Sequence, residues 1–342
     1  MEDKIRIAID AMGGDRAPRV VIEGAIKAAS IYDYQILLVG DTRKINKFLN
    51  IYNGYPKKKI EIVHASETVK MGEPAAASFR KKKDSSIAVG LKLLKEKQAD
   101  IFISAGNTGA VVTASTLTLK LLPHVERPGI AVIFPTLHEP TFMIDVGANI
   151  DAKPTHLFQY AVMGEAYYRY ILKKEKPTVG ILNIGEEESK GTDFIKEVRE
   201  LLKKSKLSFV GNVEPREIFK GKVSVVVCDG FVGNIVLKVT EGFAEASTQF
   251  LKRELTKSLL PKIGAILSLP AYRAIKKKID YTEYGGAPLL GVDGAVLIAH
   301  GASDAAAIKN AIRVAGEYVK QKVNEHIVEQ LVEYGKELQI NG

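Results

Sequence analysis

The stretch KIRIAIDAMGGDRAP, residues 4–18, decides the reading of the fold. Its first seven residues read as a buried strand ending on Asp10, and the eight that follow hold Gly13, Gly14, Asp15 and Pro18. A strand that runs out into Gly-Gly-Asp ahead of a helix builds something at its carboxyl end. The candidates are a phosphate cradle, a metal site or a tight turn.

Outward from this stretch, short apolar runs alternate with amphipathic helical patterns. Strands are expected at 5–10, 35–39, 59–64, 100–104, 129–134, 141–146, 178–183, 208–211 and 223–229. Helices are expected near 18–31, 41–50, 84–97, 107–121, 155–172, 191–204, 231–257 and 303–336. The run Val223-Ser-Val-Val-Val-Cys228 lacks polar alternation, as a strand covered on both faces does. This order predicts an α/β fold, a three-layer α/β/α sandwich with a mostly parallel sheet and ligands beyond the carboxyl ends of its strands. The short connection Pro135–Pro140 predicts one antiparallel pair over 129–146. The 342 residues exceed the usual limit of one growing core, so a single α/β unit over 1–342 with two lobes is expected.

Composition narrows the classes. Apolar content is 46%, without low-complexity tracts or repeats, and the lone Cys228 leaves no disulfide framework and fits a reducing cytoplasm. Strand residues begin by Ile5, which leaves no room for a signal peptide, and no apolar run approaches the ~18–20 residues that span a bilayer. Net charge is +9, of which the window 251–278 alone carries +7. There Lys252, Arg253, Lys257, Arg273, Lys276 and Lys277 flank Leu259, Ile263 and Ile266, which share roughly one helical face. With Pro261 and Pro270 and no strand signal, 251–290 reads as a helical excursion from the body. Its composition suits a membrane interface, an acidic partner or a contact with a second copy. Nucleic acid is disfavoured: there is no Trp, and basic residues are not interleaved with aromatics beyond Tyr272 and Arg273.

Five segments repeat one grammar of strand, Gly with Asp or Asn, then helix: Asp10–Asp15, Ser104–Gly109, Asp145–Asn149, Asn183–Gly185 and Asp229–Asn234. Glycine lets amides turn toward a ligand, and a following helix adds unpaired N–H groups and its positive end. All five are expected on one sheet edge. Ser104-Ala-Gly-Asn-Thr-Gly109 is the strongest anion nest, yet neither a Walker loop nor a Gly-x-Gly-x-x-Gly fingerprint occurs. Metal chemistry would need Asp10, Asp15, Asp145 and Asp229 to converge; carboxylates at such turns more often cap amides. Cys228, beside Asp229, reads as core rather than as a nucleophile. His64 and His300 end or follow apolar runs, and Lys190 follows three glutamates.

These motifs, together with Tyr284-Gly285-Gly286-Ala-Pro-Leu-Leu-Gly291 and His300-Gly-Ala-Ser-Asp304, resemble the PlsX-type phosphate acyltransferases of bacterial phospholipid synthesis over nearly the whole chain. The resemblance implies a fold like phosphate acetyltransferase and isopropylmalate dehydrogenase. It implies transfer of a long-chain acyl group from acyl carrier protein to inorganic phosphate, with no cofactor and no metal. It implies a homodimer, cytoplasmic and peripherally associated with the inner face of the plasma membrane, where an acyltransferase consumes the acyl phosphate. On that reading Gly13, Gly14, Ser104, Gly106, Asn107, Thr108 and Gly109 form the phosphate and oxyanion cradle, with Asn107, Lys190 and His64 as catalytic candidates. Asp10, Asp15, Asp145, Asn149, Asp229, Asn234, Gly285 and Gly286 brace loops or touch ligand, and the excursion residues above meet carrier protein or membrane. The alternatives are a coenzyme A-dependent short-acyl transferase, a nicotinamide-dependent dehydrogenase of the same fold, and a membrane-binding or nucleic-acid-binding module.

Overall fold

The computed structural model describes residues 4–279 and 284–338, except the side chains of 276–279 and 336–338. Lys276 and Lys277 therefore lie outside the described side chains. The elements run β1 (Arg6–Asp10), α1 (Arg19–Ile31), β2 (Gln35–Gly40), α2 (Thr42–Leu49), β3 (Ile60–His64), α3 (Ala75–Lys81), α4 (Ser86–Lys95), β4 (Ile101–Ser104) and α5 (Thr108–Leu119). They continue with β5 (Gly129–Phe134), β6 (Thr141–Ile144), α6 (Pro154–Ile171), β7 (Thr178–Leu182), α7 (Asp193–Lys203), β8 (Ser208–Val213), β9 (Val225–Val227) and α8 (Gly230–Thr256). The chain closes with α9 (Leu259–Leu267), α10 (Leu269–Ile279), β10 (Ala287–Leu290), β11 (Ala295–Ile298), α11 (Ala305–Lys320) and α12 (Val323–Leu338).

Period-two side-chain direction makes the layers. Ile7 and Ile9 of β1 enter one core with α1, α6, α11 and α12, while Ala8 enters the other with α4 and α5. Both cores are built of buried apolar side chains, and each fully buried Ile or Leu contributes about 1.5–3 kcal/mol, so the three-layer α/β/α sandwich follows from strands apolar on both faces.

Among the described residues eleven strands form one sheet, in the order β3-β2-β1-β4-β11-β10-β5-β6-β9-β7-β8. The strands β3, β2, β1, β4 and β11 are mutually parallel. The pairs β11–β10, β10–β5 and β5–β6 are antiparallel, as expected for 129–146, and β6, β9, β7 and β8 are again parallel to one another. Three reversals in succession leave this second group running opposite to the first. The five glycine turns therefore do not share one edge: those after β1 and β4 lie at the opposite sense of the sheet from those after β6, β7 and β9.

Three other features depart from the sequence reading. Residues 287–290 form a strand inside the region read as wholly helical, and β11 follows it. Both runs are short, and Pro288 weakens the strand signal although it pairs with Leu297. The single helix expected over 303–336 is two, broken where Lys322 takes a positive φ of 48°. Asn324 pins that break, accepting from the Tyr318 hydroxyl at 2.6 Å and donating to the Val292 carbonyl at 3.2 Å. Helix α3 had no counterpart.

Candidate active site

The first turn cluster is built on Asp10, which is buried at the end of β1. Its Oδ2 accepts from Ser104 Oγ at 2.8 Å, and its Oδ1 from the Met12 amide at 3.0 Å. The Ser104 hydroxyl in turn accepts from the Gly106 amide at 3.0 Å, so β1 and β4 end in one shared lattice. Burial raises the Asp10 pKa above the usual carboxylate range, opposed by the hydroxyls of Ser86 and Ser104 and the amides of Met12 and Gly13. Of the two hydroxyls only Ser104 reaches full hydrogen-bond geometry; the buried Ser86 Oγ is without a partner among the described residues. Gly13 is glycine for a steric reason: a Cβ there would stand 2.5 Å from Asp10 Oδ2 and 2.7 Å from the Gly106 amide.

Asn107 caps α5, its Oδ1 accepting from the Ala110 amide at 3.0 Å. Its Nδ2 faces the carbonyls of Lys70 (3.3 Å), Met71 (2.8 Å) and Glu73 (2.9 Å). The side chain is thus spent on fastening the 70–73 loop over the turn. The amides of Thr108 and Gly109 are different. They lie in the exposed first turn of α5, where a helix has no carbonyl to offer them, beside its positive end. Asp15 is exposed, and its amide donates to the Gly301 carbonyl at 2.9 Å, which brings the Gly14 turn against the turn after β11. Gly285 and Gly286, both with positive φ, open β10 against α11 and the end of β11.

The second cluster repeats the grammar with another outcome. Asp145, fully buried, takes the amides of Ile130 (3.1 Å), Gly147 (3.0 Å), Ala148 (2.9 Å) and Asn149 (2.7 Å). Burial raises its pKa, and those amides oppose the rise. Asn149 Nδ2 donates to the Pro128 carbonyl at 2.5 Å and the Tyr160 hydroxyl at 2.8 Å. Asp229 caps α8 through the Phe231 and Val232 amides at 3.0 and 2.9 Å. A Cβ on Gly233 would overlap the Asp145 carbonyl, so the start of α8 can seat here only as glycine. Cys228 is buried, donates to that same carbonyl at 3.2 Å, and burial raises its thiol pKa, so it is no nucleophile. The amides of this turn are claimed by Asp145 and Asp229 or by main-chain carbonyls, as Val146 is by Ile130 (2.9 Å) and Gly230 by Asn149 (2.8 Å). What remains open is a shallow groove of about 430 Å³ beside it, lined by Ile150, Asp151, Ala152, Phe194, Phe231 and Val232.

The Asp residues do not converge: Asp10 serves one cluster and Asp145 and Asp229 the other, each accepting amides. Helix α8 bridges the two. It starts at Asp145 and carries Glu241 Oε1 to 3.9 Å from His300 Nε2 beside the first cluster. Eleven residues separate Gly230 from Glu241, which is roughly 16 Å of helix.

A family model described as "Fatty acid synthesis protein" matches residues 5–326. A protein named phosphate acyltransferase from Geotalea daltonii is 53% identical over 329 residues, covering 96% of this chain and 95% of that relative. One of the same name from Alkaliphilus oremlandii is 47% identical over 331 residues, covering 97% and 98%. The chain belongs to the phosphate acyltransferase family. It is accordingly an enzyme. The fold agrees with solved structures at low identity: a phosphotransacetylase from Streptococcus pyogenes (TM-score 0.60, 16% identity, 94% of this chain and 95% of that one) and a branched-chain phosphotransacylase from Enterococcus faecalis V583 (0.56, 15%, 92% and 99%).

Within this phosphate acyltransferase fold the remaining candidates stand apart from the first cluster. His64 ends β3, separated from β1 by β2, and its Nδ1 lies 3.0 Å from the Thr42 hydroxyl. Lys190 is exposed after β7, in the oppositely running half, and its carbonyl accepts from Asn183 Nδ2 at 3.1 Å. Asn234 lies exposed on α8, beside Gly147. The excursion begins earlier than 251: α8 is exposed through most of its length after Gly233, and Phe243, Phe250, Leu259, Leu260, Ile266 and Leu267 are each at least 65% exposed. Lys252 and Arg253 lie on α8, Lys257 in the connection to α9 and Arg273 on α10, and Ile263 of α9 is exposed. No helix of the described residues is long and apolar enough to cross a membrane, and no group of three His, Cys, Asp or Glu is placed to hold a metal. The sequence reading missed the 70–73 loop that Asn107 fastens, although Gly72-Glu-Pro74 carries a turn signal.

Proposed function

We propose that the chain transfers a long-chain acyl group from acyl carrier protein to inorganic phosphate, releasing acyl phosphate and the free carrier thiol. A phosphate oxygen attacks the thioester carbonyl, a C–O bond forms, and the C–S bond breaks to release a thiolate. Phosphate with a pKa near 6–7 is already partly dianionic at neutral pH, so positioning matters more than a strong base. A leaving thiolate of pKa about 8–9 needs little acid assistance. The observation that carries this reading is the open first turn of α5. Side chains there are spent on holding the loop, while the Thr108 and Gly109 amides remain for an anion or an oxyanion, one such donor being worth ~3–4 kcal/mol in a transition state. His64 and Lys190 are the further proposed sources of charge stabilisation or proton transfer, with Lys190 the weaker of the two because it follows β7 in the oppositely running half.

The test is release of free thiol from acyl carrier protein that depends on phosphate, with hydroxylamine trapping of the acyl phosphate. Thiol release without phosphate, or acyl-coenzyme A as a far better donor, overturns the carrier-protein reading. NAD-dependent thermal stabilisation would favour the dehydrogenase alternative.

The excursion supports a second, separable proposal: its exposed apolar side chains, with flanking Lys and Arg, rest on an anionic membrane surface. Coverage by a second copy, as in a homodimer, is the competing arrangement. Sedimentation with anionic vesicles, compared with the mass in solution, separates the two.

A further inference from the structure

Outside the excursion several short runs of lysine and arginine hold side chains without an ion-pair partner among the described residues, Arg43-Lys44 on α2 and Lys57-Lys58 among them, and one such run lies close to the open turn of α5. The run Arg80-Lys81-Lys82-Lys83 closes α3 and follows it. Lys82 is internal to the fold, bound to Glu73 and to the Thr68 carbonyl, each at 2.7 Å. The exposed Arg80, Lys81 and Lys83, with Lys70 on the fastened loop, have no ion-pair partner among the described residues. Lys83 Nζ rests 4.5 Å above the Phe79 ring, which holds its charge in place. The nearby carboxylates point elsewhere, Glu73 to Lys82 and Ser78, Asp84 to the Ser66 amide and hydroxyl, and Glu67 to the Asp84 amide, and none of the three is ion-paired to Arg80, Lys81 or Lys83; Asp84 and Glu67 add negative charge of their own, so the rim is net basic rather than free of carboxylates.

The position of this patch gives it meaning. A Cβ on Gly109, in the open turn of α5, would touch Ala75, the first residue of α3, at 3.3 Å. Arg80 is five residues further, about 8 Å along the helix. A net basic rim thus stands one short helix from the proposed phosphate turn. Unlike the excursion, it has no row of exposed large apolar side chains: Phe79 is half-buried beneath Lys83. Met71 on the fastened loop is the one exposed large apolar side chain beside it, at 48%; charge with a single apolar side chain, rather than a row of them, suits an acidic protein surface better than a lipid interface.

The geometry points to Arg80, Lys81 and Lys83 as the docking rim for the acidic carrier protein, leaving the excursion to other contacts. The rim holds the carrier so that its thioester arm reaches over the 70–73 loop to the turn of α5. This rests on the proposed acyl transfer. That reading stands or falls first, on whether the unsubstituted enzyme releases thiol from acyl carrier protein with phosphate.

Given that activity, the triple variant Arg80→Glu, Lys81→Glu, Lys83→Glu should raise KM for acyl carrier protein about tenfold at low ionic strength, with kcat within about twofold. It should also flatten the salt dependence of the unsubstituted enzyme. KM for phosphate, and turnover of acyl-coenzyme A as a carrier-free donor, should be unchanged. The neutral variant Arg80→Gln, Lys81→Gln, Lys83→Gln should shift KM the same way by less. An unchanged carrier KM overturns the proposal, as does an equal loss with acyl-coenzyme A. So does a larger KM rise from Lys252→Glu, Arg253→Glu, Lys257→Glu. Loss of binding to anionic vesicles on reversing the α3 charges would assign the rim to lipid instead.

Discussion

The turn after β4 and the turn after β6 share a grammar and differ in what they leave unsatisfied. In the first, Ser104 and Asn107 fasten neighbouring chain, and the Thr108 and Gly109 amides stay open. In the second, Asp145 reaches back and consumes the Gly147, Ala148 and Asn149 amides itself. An aspartate two to four residues ahead of the amides closes its own nest; an asparagine at the N-cap closes only one donor and leaves the rest. The difference predicts that one turn carries chemistry and the other carries stability.

The largest effects should break the second turn. Asp145→Ala leaves the buried Ile130 amide and the part-buried Gly147, Ala148 and Asn149 amides short of an acceptor; at ~1–3 kcal/mol for the buried one and less for those that water can reach, offset in part by loss of a buried charge, the net is about 2–4 kcal/mol in denaturant unfolding. Gly233→Ala should cost about 3 kcal/mol or more, through overlap with the Asp145 carbonyl. If either variant kept full stability and lost only turnover, the two roles would be reversed.

The first turn should give the opposite pattern. Asn107→Ala with Thr108→Ala should lower kcat/KM for phosphate at least about tenfold through lost positioning, while unfolding free energy falls by about 1–3 kcal/mol, from the lost cap and the lost bonds to the 70–73 carbonyls, which lie in an exposed loop that water can reach. Retention of full activity would remove this turn from the chemistry.

A subtler comparison uses pH. Burial raises the folded pKa of Asp10, so its protonated form is favoured in the native state. The stability tied to that proton is fully present below the unfolded carboxylate pKa and is lost as pH rises through the folded one. Asp10→Asn should therefore gain stability relative to the unsubstituted protein as pH rises from about 4 toward neutrality, a trend that paired denaturation curves would show. A difference that does not change with pH would mean that the carboxyl titrates alike in the folded and unfolded states, so that burial does not raise its pKa. The smallest stability effect is expected in the excursion: Leu259→Glu with Ile266→Glu should change unfolding free energy by less than ~0.5 kcal/mol, because both side chains are exposed. The same pair should reduce sedimentation with anionic vesicles, and unchanged binding would refute membrane docking there.

Much of this was legible in the sequence. The strands Ile7–Ile9 and Val225–Val227 show their burial on both faces by lacking polar alternation, and the Ser104–Gly109 motif shows its turn and its helix start. The strands β10 and β11 were not legible, because a four-residue run holding Pro288 and a second four-residue run without polar alternation, both among glycines, resemble a glycine-rich loop until neighbouring strands supply their hydrogen bonds. Nor was the break at Lys322, where the apolar period persists and the turn depends on Asn324 meeting the distant Val292 carbonyl.

The sequence by itself determined the layers and the identity of the turns, since periodicity, glycine and capping residues act over a few neighbours. Only the tertiary structure decided that KIRIAIDAMGGDRAP shares its site with Ser104 and Gly301, while Asp145 and Asp229 do not. That partition depends on three successive antiparallel pairings in mid-sheet, which reverse the second group of strands. Which amides stay open is likewise decided by where buried carboxylates point, and that direction is set by packing between residues far apart in the chain.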